Sequence, residues 1–529
     1  MRPRRARRRG LAIVIVLVVV ALLSLAAYTF SDLMLAEYQA ADAHGQALQT
    51  RMACDSAIEK LLVLLALDTL TLRDRGGLYD NPAELQGIPV VDGATPADRV
   101  KFSIVAPLYE PEAPTTLRFG IEDESMRLNL NTLIAQHEDL TEQRDWLMSV
   151  PGMSEEAADS ILDWLDEDDE AREFGGEADL YSGLTPPRAP KNGPLDTLEE
   201  LLLVQGVTPQ LLFGMDANRN GLVDANEQLA IPPEGIDNAD GSFDRGWSGY
   251  LTLYGGEANR KADGTPRVNI NGEDLETLFS DLQATGQPDL ATYIILYRQS
   301  GPYTGSGAAA TPAIVGSPDF TKQARYTFSS VLDLVGTKTS ASISGTTRSI
   351  ESPIKNDPFA LGTTLPLLMD QLTTSSDAVL RGKLNVNQAP RALLLGVPGL
   401  TEEQIDQILA VRYPEPTDEM PGSEYSTWLL TQSIVTLDQM KALTPFLSAK
   451  GDVYRGRLSD ISKIPARRRA WKSWSMLPAR RRADYSGERS RIWDAVFRTP
   501  FWERRVCSRR SFSKEPEHAA VGRRRLGRS

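Results

Sequence analysis

The chain has 529 residues, and its 71 acidic residues outnumber its 57 basic ones, giving a formal net charge of −14. Its only cysteines are Cys54 and Cys507, which excludes a disulfide framework, so the fold must depend on a hydrophobic core. The three histidines lie in separate segments and predict neither a Ser-His-Asp arrangement nor a zinc site.

The N-terminal segment joins a basic leader to a long apolar stretch. Residues 1–10 contain six arginines and end in Gly10, and residues 11–30 carry no charge. Twenty apolar residues are enough to cross a bilayer core of ~30 Å, and the arginines should stay on the cytoplasmic side. Because no Pro interrupts the pattern before Arg75, we expect one helix over 11–75, ended by Gly76 and Gly77, rather than a cleaved secretory signal.

The body of the chain is strongly acidic. Residues 11–450 contain 29 basic and 63 acidic residues, a net charge near −34. Since proteins bind nucleic acids mainly by neutralising phosphates with Lys and Arg, this charge argues against DNA or RNA as a partner.

An apolar-Asn-apolar-Asn motif occurs three times, at 128–131, 268–271 and 384–387. Its period of two predicts a short strand, and its last Asn is expected to cap a helix. The stretches Val150–Leu162 and Val397–Leu409 share a Pro-Gly turn followed by a helix start. The repeat therefore predicts strand, cap, helix, turn and helix, an arrangement found both in DNA-binding modules and in an extracytoplasmic secretion subunit.

Residues 216–227 fit the twelve-residue calcium-loop pattern, with Gly221 at the sixth position for the turn. The segment after it, 228–233, is too short to form an exiting helix, so we expect a structural calcium site rather than a switch. The alternative is an Asn/Asp-rich turn that binds nothing. The predicted ligands are Asp216, Asn218, Asn220, Leu222, Asp224 and Glu227.

A second acidic cluster, Asp163–Glu170, ends the first predicted helical hairpin. Its carboxylates could hold a second calcium ion, or they could form a solvated, repelling helix end. A glycosidase pair is a third possibility that nothing else in the sequence supports.

Strand-like stretches at Val100–Pro107, Leu117–Asn131 and Tyr250–Tyr254 alternate with helical and loop segments. This interleaving predicts an α+β body in which a helical module is inserted between strands. Residues 301–318 and 336–377 are rich in Gly, Ser, Thr and Pro and are interpreted as loops or linkers.

Taken together, several segments resemble protein K of type II secretion systems, a family of minor pseudopilins, over most of residues 1–455. They are Arg9-Gly10 before the apolar helix, Leu128–Leu133, Ile161–Asp166 with its acidic continuation, Leu195–Leu201 before Val204–Val207, Asn385–Leu409 and Gly451–Arg455. The resemblance implies a long pilin-like helix, transmembrane in its first half, packed on a small antiparallel sheet. It also implies inserted helical domains of SAM-like or helix-hairpin-helix type, bound Ca²⁺ and a place at the tip of a short periplasmic filament.

The expected organisation follows from these patterns. We expect a prepilin leader (1–10), the transmembrane and pilin helix (11–75), a pilin-like β region (76–130), an inserted helical domain with the calcium loop (131–235), a second strand-helix unit (236–300), a loop-rich linker (301–376), a third strand-helix-hairpin unit (377–455) and a basic tail (456–529). After residue 450 the sequence carries 22 basic and 8 acidic residues, a composition that would suit an RNA-binding or membrane-surface tail. Because family-like sequence stops abruptly after Arg455, we favour a disordered or frame-shifted tail.

The resemblance also implies a function, processing and partners. The chain would be a non-enzymatic minor pseudopilin, single-pass in the inner membrane with its bulk in the periplasm, that initiates or caps the pseudopilus for protein export. Prepilin peptidase would cut between Gly10 and Leu11, although Leu11 stands where Phe or Met is more usual. Ile15 would then replace the fifth-position Glu of most pilins, a departure that protein K shares. The expected partners are other minor pseudopilins, the inner-membrane platform and the peptidase.

Two other functions remain open from the sequence. One is a membrane-tethered helix-hairpin-helix protein for DNA binding or uptake, which a basic stripe on the folded body would favour. The other is an extracytoplasmic hydrolase, which a convergent pocket of His, Ser or paired acids would favour.

Overall fold

The computed structural model describes residues 9–93, 99–108, 117–136, 139–220, 227, 245–303, 305, 310–316, 318–343, 346–417, 419–460 and 471–476. Only the backbone is described for residues 9–12, 343, 459–460 and 471–476. The predicted basic tail therefore lies outside the described residues, apart from 456–460 and 471–476.

The helices follow one another along the whole described chain. In order they are α1 (Arg9–Leu65), α2 (Thr69–Asp74), α3 (Pro82–Leu85), α4 (Leu130–Gln136), α5 (Leu140–Met148), α6 (Glu155–Leu165), α7 (Ala178–Ser182), α8 (Pro209–Phe213), α9 (Leu275–Ala284), α10 (Pro288–Ser300), α11 (Pro358–Gln371), α12 (Arg391–Leu395), α13 (Glu402–Val411), α14 (Trp428–Thr431) and α15 (Leu437–Leu443).

The strands are short and mostly come in pairs. They are β1 (Ile88–Val91), β2 (Val100–Pro107), β3 (Leu117–Arg118), β4 (Glu122–Asp123), β5 (Leu128–Asn129), β6 (Leu251–Thr252), β7 (Gly256–Ala258), β8 (Val268–Asn269), β9 (Lys338–Ile343), β10 (Thr346–Glu351), β11 (Leu372–Thr373), β12 (Val379–Arg381), β13 (Leu384–Asn385), β14 (Leu447–Ser448), β15 (Tyr454–Asp460) and β16 (Trp471–Met476).

The predicted single N-terminal helix is divided into α1 and α2. The first is long and apolar enough to cross a membrane, and the apolar window that meets this criterion is not buried in the protein. The helix breaks before Asp68, whose carboxylate caps α2 by accepting from the Thr71 N–H at 3.0 Å. An N-cap carboxylate satisfies backbone donors that a continuous helix would bond internally, which explains why the expected helix over 11–75 ends early.

The second half of α1 packs on a small antiparallel sheet. The strand order is β1-β2-β15-β16, with β3 paired to β2 and β4 paired to β15. Leu61 and Leu64 of the helix share a buried cluster with Ile104 and Leu458 of the sheet. Strand β15 extends to Asp460, past residue 455, where the sequence analysis ended the body, and the burial of Leu458 accounts for the extension. The predicted α+β class, with a long N-terminal helix on a small sheet and inserted helical domains, is confirmed.

Three inserted units follow, and each is closed by a parallel pair of two-residue strands. The first unit (residues 128–252) pairs β5 with β6, the second unit (268–373) pairs β8 with β11, and the third unit (384–448) pairs β13 with β14. Each opening strand carries the apolar-Asn motif. The residues interpreted as a loop-rich linker contain the hairpin β9–β10 and helix α11, because Leu361, Leu365 and Leu368 bury one face of that helix.

The last Asn of the motif has a different role from the expected helix cap. Asn131 exchanges two hydrogen bonds with the Leu195 backbone, at 2.9 and 2.8 Å. Asn271 makes the same pair with Phe328, at 2.9 and 2.8 Å. Asn387 donates to the Ser423 carbonyl at 2.9 Å. Each of these side chains thus fixes a distant loop to the opening strand of its own unit.

Candidate functional site: a predicted calcium loop beside a buried charge cluster

The predicted calcium loop begins just after α8, and its first ligand is buried. Asp216 is 2% exposed, and its carboxylate accepts from the Asn220 N–H at 3.0 Å. The Asn218 amide oxygen accepts from the same N–H at 2.9 Å, and Glu227 Oε1 accepts from the Asn218 N–H at 3.0 Å. The oxygens of loop positions 1, 3 and 12 therefore accept from the N–H groups of positions 3 and 5.

These residues fit a hard cation such as Ca²⁺, which binds carboxylate, amide and carbonyl oxygens. Two of the six predicted ligands, Leu222 and Asp224, lie outside the described residues. Within the described part of the chain, no three His, Cys, Asp or Glu side chains form a metal-binding group. Half of the predicted ligands are amide or backbone oxygens, from Asn218, Asn220 and Leu222.

The described part of the loop also contacts the sheet. Arg457 of β15 donates from Nε to the Asn220 carbonyl at 3.1 Å, across 237 residues of sequence. The same guanidinium pairs with the carboxylate of Glu122 in β4. A chain of polar contacts therefore runs from the predicted calcium loop through β15 to β4 of the small sheet.

Arg457 belongs to a buried group of charges that we call the junction cluster. Nη2 of Arg127 donates to Oε1 of Glu122 at 2.5 Å, and Nη2 of Arg245 lies 3.2 Å from the same oxygen. Burial alone would raise the pKa of Glu122, but Arg127 and Arg457 outweigh it and hold that pKa at about 2. The members of the cluster are Glu122, Glu124, Arg127, Arg245, Arg455 and Arg457.

The second carboxylate of this cluster ties it to the first unit. Glu124 accepts from the Thr252 hydroxyl at 2.5 Å and pairs with Arg127 at 3.2 Å and with Arg455 at 2.5 Å. Thr252 lies in the closing strand of the first unit, whereas Arg455 lies in the sheet. Breaking a buried ion pair by removing one partner typically costs about 3–5 kcal/mol, so this cluster fixes the unit firmly to the sheet.

Sequence reasoning missed the junction cluster, although one signal for it is visible in the sequence. A basic residue directly precedes the apolar-Asn motif in every unit: Arg127, Arg267 and Lys383. A basic residue at the same place before each opening strand suggests a charged partner in each unit. The partners themselves come from distant segments and could not be assigned.

The second acidic cluster is buried only at its start. Asp163 and Asp166 are buried, whereas the four acids from Glu167 to Glu170 are exposed, as expected of a solvated helix end. Asp163 pairs with Arg172 Nη1 at 2.8 Å, and Asp166 pairs with the same guanidinium. Glu177 lies nearby with both carboxylate oxygens buried and without a hydrogen-bond partner among the described residues. Burial, followed by repulsion from Asp163 and Asp166, raises the pKa of Glu177 to about 7.

The predicted processing site lies in the described backbone. Gly10 and Leu11 are helical in α1, and Ile15 is 55% exposed on the same helix. The apolar side chains around it, from Ile13 to Leu25, are exposed as well.

The fold and the site define a class of protein: an α+β chain with a membrane-length N-terminal helix on a small antiparallel sheet, to which inserted helical units are fixed by buried charges. Residues 126–215, which begin beside the junction cluster and end before the calcium loop, match the family described as type II secretion system (T2SS), protein K. The resemblance to protein K that the sequence predicts is thereby confirmed. No curated protein matched the chain.

The chain is also similar to a solved structure, the GspK-GspI-GspJ complex from the type 2 secretion system of enterotoxigenic Escherichia coli. The identity is 11%, the alignment covers 83% of this chain and 95% of the matched chain, and the TM-score is 0.34. Such a low TM-score describes only a loose likeness.

Proposed function

We propose that this chain is a minor pseudopilin at the tip of a type II secretion pseudopilus, where it initiates or caps assembly of the filament. It acts by binding other subunits and carries out no catalysis. The protein K match over residues 126–215 supports this family role. Neither a DNA-uptake protein nor a hydrolase gains support from that match.

The exposed apolar first half of α1 carries the proposal. Leu17, Leu22 and Leu23 are each at least 60% exposed and lie on different sides of the helix. A helix that is apolar all round requires lipid or other apolar helices around it. We therefore place this half in the inner membrane and the sheet and units in the periplasm.

The same helix provides the surface for assembly. Its second half uses only one face, including Ala57 and Leu61, to pack on the sheet. Tyr38, Leu48 and Met52 remain at least 50% exposed and continue the apolar surface beyond the membrane. This surface would pack against the helices of other minor pseudopilins, while the membrane half would contact the inner-membrane platform and prepilin peptidase.

The tip position follows from two features of the chain. An apolar Ile15 offers no carboxylate to neutralise the N-terminal amine of a neighbouring subunit, and an unpaired charge within lipid is costly. The three inserted units add bulk that a thin filament could not repeat at every subunit. Both features favour one copy at a place with no neighbour above it.

We further propose that residues 216–227 bind Ca²⁺ as a structural ion. Asp216, Asn218, Asn220 and Glu227 would supply side-chain oxygens, together with Asp224 and the Leu222 carbonyl. The ion would hold the loop closed where Asn220 meets Arg457, and so would stabilise the attachment of the first unit to the sheet.

Copy number tests the tip role. In host cells, labelled chain should be present at about one copy per filament when it is counted against the major pseudopilin. Cross-links from Tyr38 or Leu48 should reach other minor pseudopilins, whereas cross-links from Phe359, an exposed residue of the second unit, provide the control. Incorporation along the whole filament, or a complex that forms equally well without α1, would overturn the proposal.

A further inference from the structure

A cavity of ≈ 270 Å³ lies at the seam between the second and third units. The closing strands of both units line it, through Thr373 of β11 and Ser448 of β14. It is slightly smaller than the ~300 Å³ at which pockets for drug-sized ligands begin, so it suits a ligand of about amino-acid size.

The residues that precede the opening strands of these two units line the same cavity. They are Arg267, before β8, and Lys383, before β13. Arg127 holds the same position before β5 of the first unit. Each of the three units therefore has a basic residue at the same structural position.

In the first two units this cation has a carboxylate partner. Arg127 pairs with Glu122 at 2.5 Å and with Glu124 at 3.2 Å. Arg267 pairs with Glu257 at 2.8 Å, and only 5% of the Arg267 side chain is exposed. In both units, the buried cation at this position therefore pairs with a carboxylate.

Lys383 differs from the other two. No ion pair or hydrogen bond of its ammonium group occurs among the described residues, although the side chain is half-buried and lines the cavity. The nearby Glu257 is already held by Arg267. Burial lowers the pKa of Lys383, and the charge of Glu257 offsets that effect only in part. The Lys383 ammonium is accessible to solvent at the cavity, so a bound anion can displace the water around it.

The hydroxyl groups around the cavity do not replace that anion. Thr444 donates its hydroxyl to the Met440 carbonyl at 2.8 Å, and Ser448 donates to the Lys450 carbonyl at 3.0 Å. Glu424, the other acidic lining residue, is half-exposed and is not among the groups that influence Lys383. No described residue therefore accepts from Lys383, and the place that a carboxylate takes in the other two units is open to a ligand.

We propose that the seam cavity is a binding site for a carboxylate, which pairs with the Lys383 ammonium as Glu122 and Glu257 pair with the equivalent arginines. The ligand carries one carboxylate at its inner end and a body of no more than about amino-acid size within the cavity. It is either a free short carboxylic acid or the C-terminus of a polypeptide chain. This site is independent of the calcium loop and of the tip role.

The test uses the full chain in detergent micelles and measures binding by calorimetry. The probes are succinate, a tripeptide with a free C-terminus, the same peptide amidated, and sulfate at equal ionic strength. We expect saturable binding of the free carboxylates and none of the amidated peptide. Lys383→Met should weaken binding by at least about tenfold, the loss expected for one charged hydrogen bond, and Lys383→Arg should retain it.

A matched control and a second readout separate binding from folding. Lys441→Met removes another lysine of the third unit, one that pairs with Asp333 at 3.4 Å, and should leave binding unchanged. In carboxylate-free buffer Lys383→Met should not lower the melting temperature, because it removes no hydrogen bond or ion pair among the described residues and keeps a side chain of similar length.

Tighter binding of the peptide than of succinate would identify a polypeptide C-terminus as the ligand, and equal binding would identify a free acid. Binding of sulfate as tight as that of succinate, no saturable binding of any carboxylate, or unchanged binding in Lys383→Met would overturn the proposal. A lower melting temperature of Lys383→Met would also overturn it, because the ammonium would then already have a partner.

Discussion

Asp123 of the sheet accepts a hydrogen bond from the side-chain amide of Asn385, 262 residues further along the chain, at 2.8 Å. The same carboxylate accepts from the Gly451 N–H at 2.6 Å. The start and the end of the third unit therefore meet at one buried acid. Burial raises the pKa of Asp123 to about 6, so this contact depends on pH.

Asn385→Asp should destabilise the protein strongly above pH 6 and less below it. At high pH two buried carboxylates would face each other, whereas below pH 6 one of them takes up a proton and can donate a hydrogen bond. The expected loss at pH 7.5 is about 2–3 kcal/mol of unfolding free energy, measured by chemical denaturation of the full chain in detergent. Asn269→Asp, at the equivalent position of the second unit, is the control and should show a smaller pH dependence.

Asn387→Ala should lower the free energy of unfolding more than Asn131→Ala does. Asn387 is fully buried and bonds the Ser423 and Ala449 carbonyls and the Trp428 indole N–H, each at 2.9 Å. Since each buried group left unsatisfied costs about 1–3 kcal/mol, we expect a loss of at least about 3 kcal/mol. Denaturant titration measures the loss, and Trp428 fluorescence should change in the same variant. Equal losses of unfolding free energy in the two variants would contradict this prediction.

Calcium should raise the melting temperature of the full chain, and Glu227→Ala should remove most of that increase. At a hundredfold excess of ion over the dissociation constant, binding stabilises the native state by roughly 2.7 kcal/mol. The comparison is between calcium and chelator, with Glu403→Ala, an exposed acid of α13, as the control. Identical melting temperatures of the parent chain in both buffers would show that the loop is a turn that binds no calcium.

Stability should fall as pH rises from about 4.5 to about 7 because of Glu177. Its pKa is raised in the folded state to about 7, so the folded chain keeps a proton that the unfolded chain has already released. Glu177→Gln should remove this part of the pH dependence and stabilise the protein at pH 8, whereas Glu403→Gln should do neither. Parallel stability–pH curves for the parent and Glu177→Gln would show that the buried carboxylate has a partner.

Prepilin peptidase should cut the chain between Gly10 and Leu11. N-terminal sequencing of protein purified from the host membrane should begin at Leu11, and Gly10→Ala should leave the leader attached. An intact Met1 in the parent chain, or a start beyond Phe30, would contradict the pilin assignment.

Local patterns predicted a large part of this fold. Strand β2 has the expected bounds, and the shared Pro-Gly phrases lead into α6 and α13, whose caps Ser154 and Thr401 accept from backbone N–H groups as their positions indicate. Such features depend on neighbours a few residues away. Their signal is therefore complete within a short stretch of sequence.

Features that depend on distant residues could not be predicted. The Arg457–Glu122 pair joins residues 335 positions apart, and the two-residue closing strands have no period of their own. The helix α11 was missed because Gly362, Pro366 and its two threonines obscure the buried spacing of Leu361, Leu365 and Leu368. In these cases tertiary packing, and not local preference, decides the structure.

The parallel strand pairs that close the units also bear on how this chain can change in length. Leu128 lies beside Leu251, Val268 beside Leu372, and Leu384 beside Leu447, so the two ends of each unit are neighbours. A segment with adjacent ends can be duplicated or removed while the backbone on either side keeps its path. Evolution can therefore enlarge such a chain by whole units, and an engineered chain that lacks the second unit should still form its sheet and its first unit.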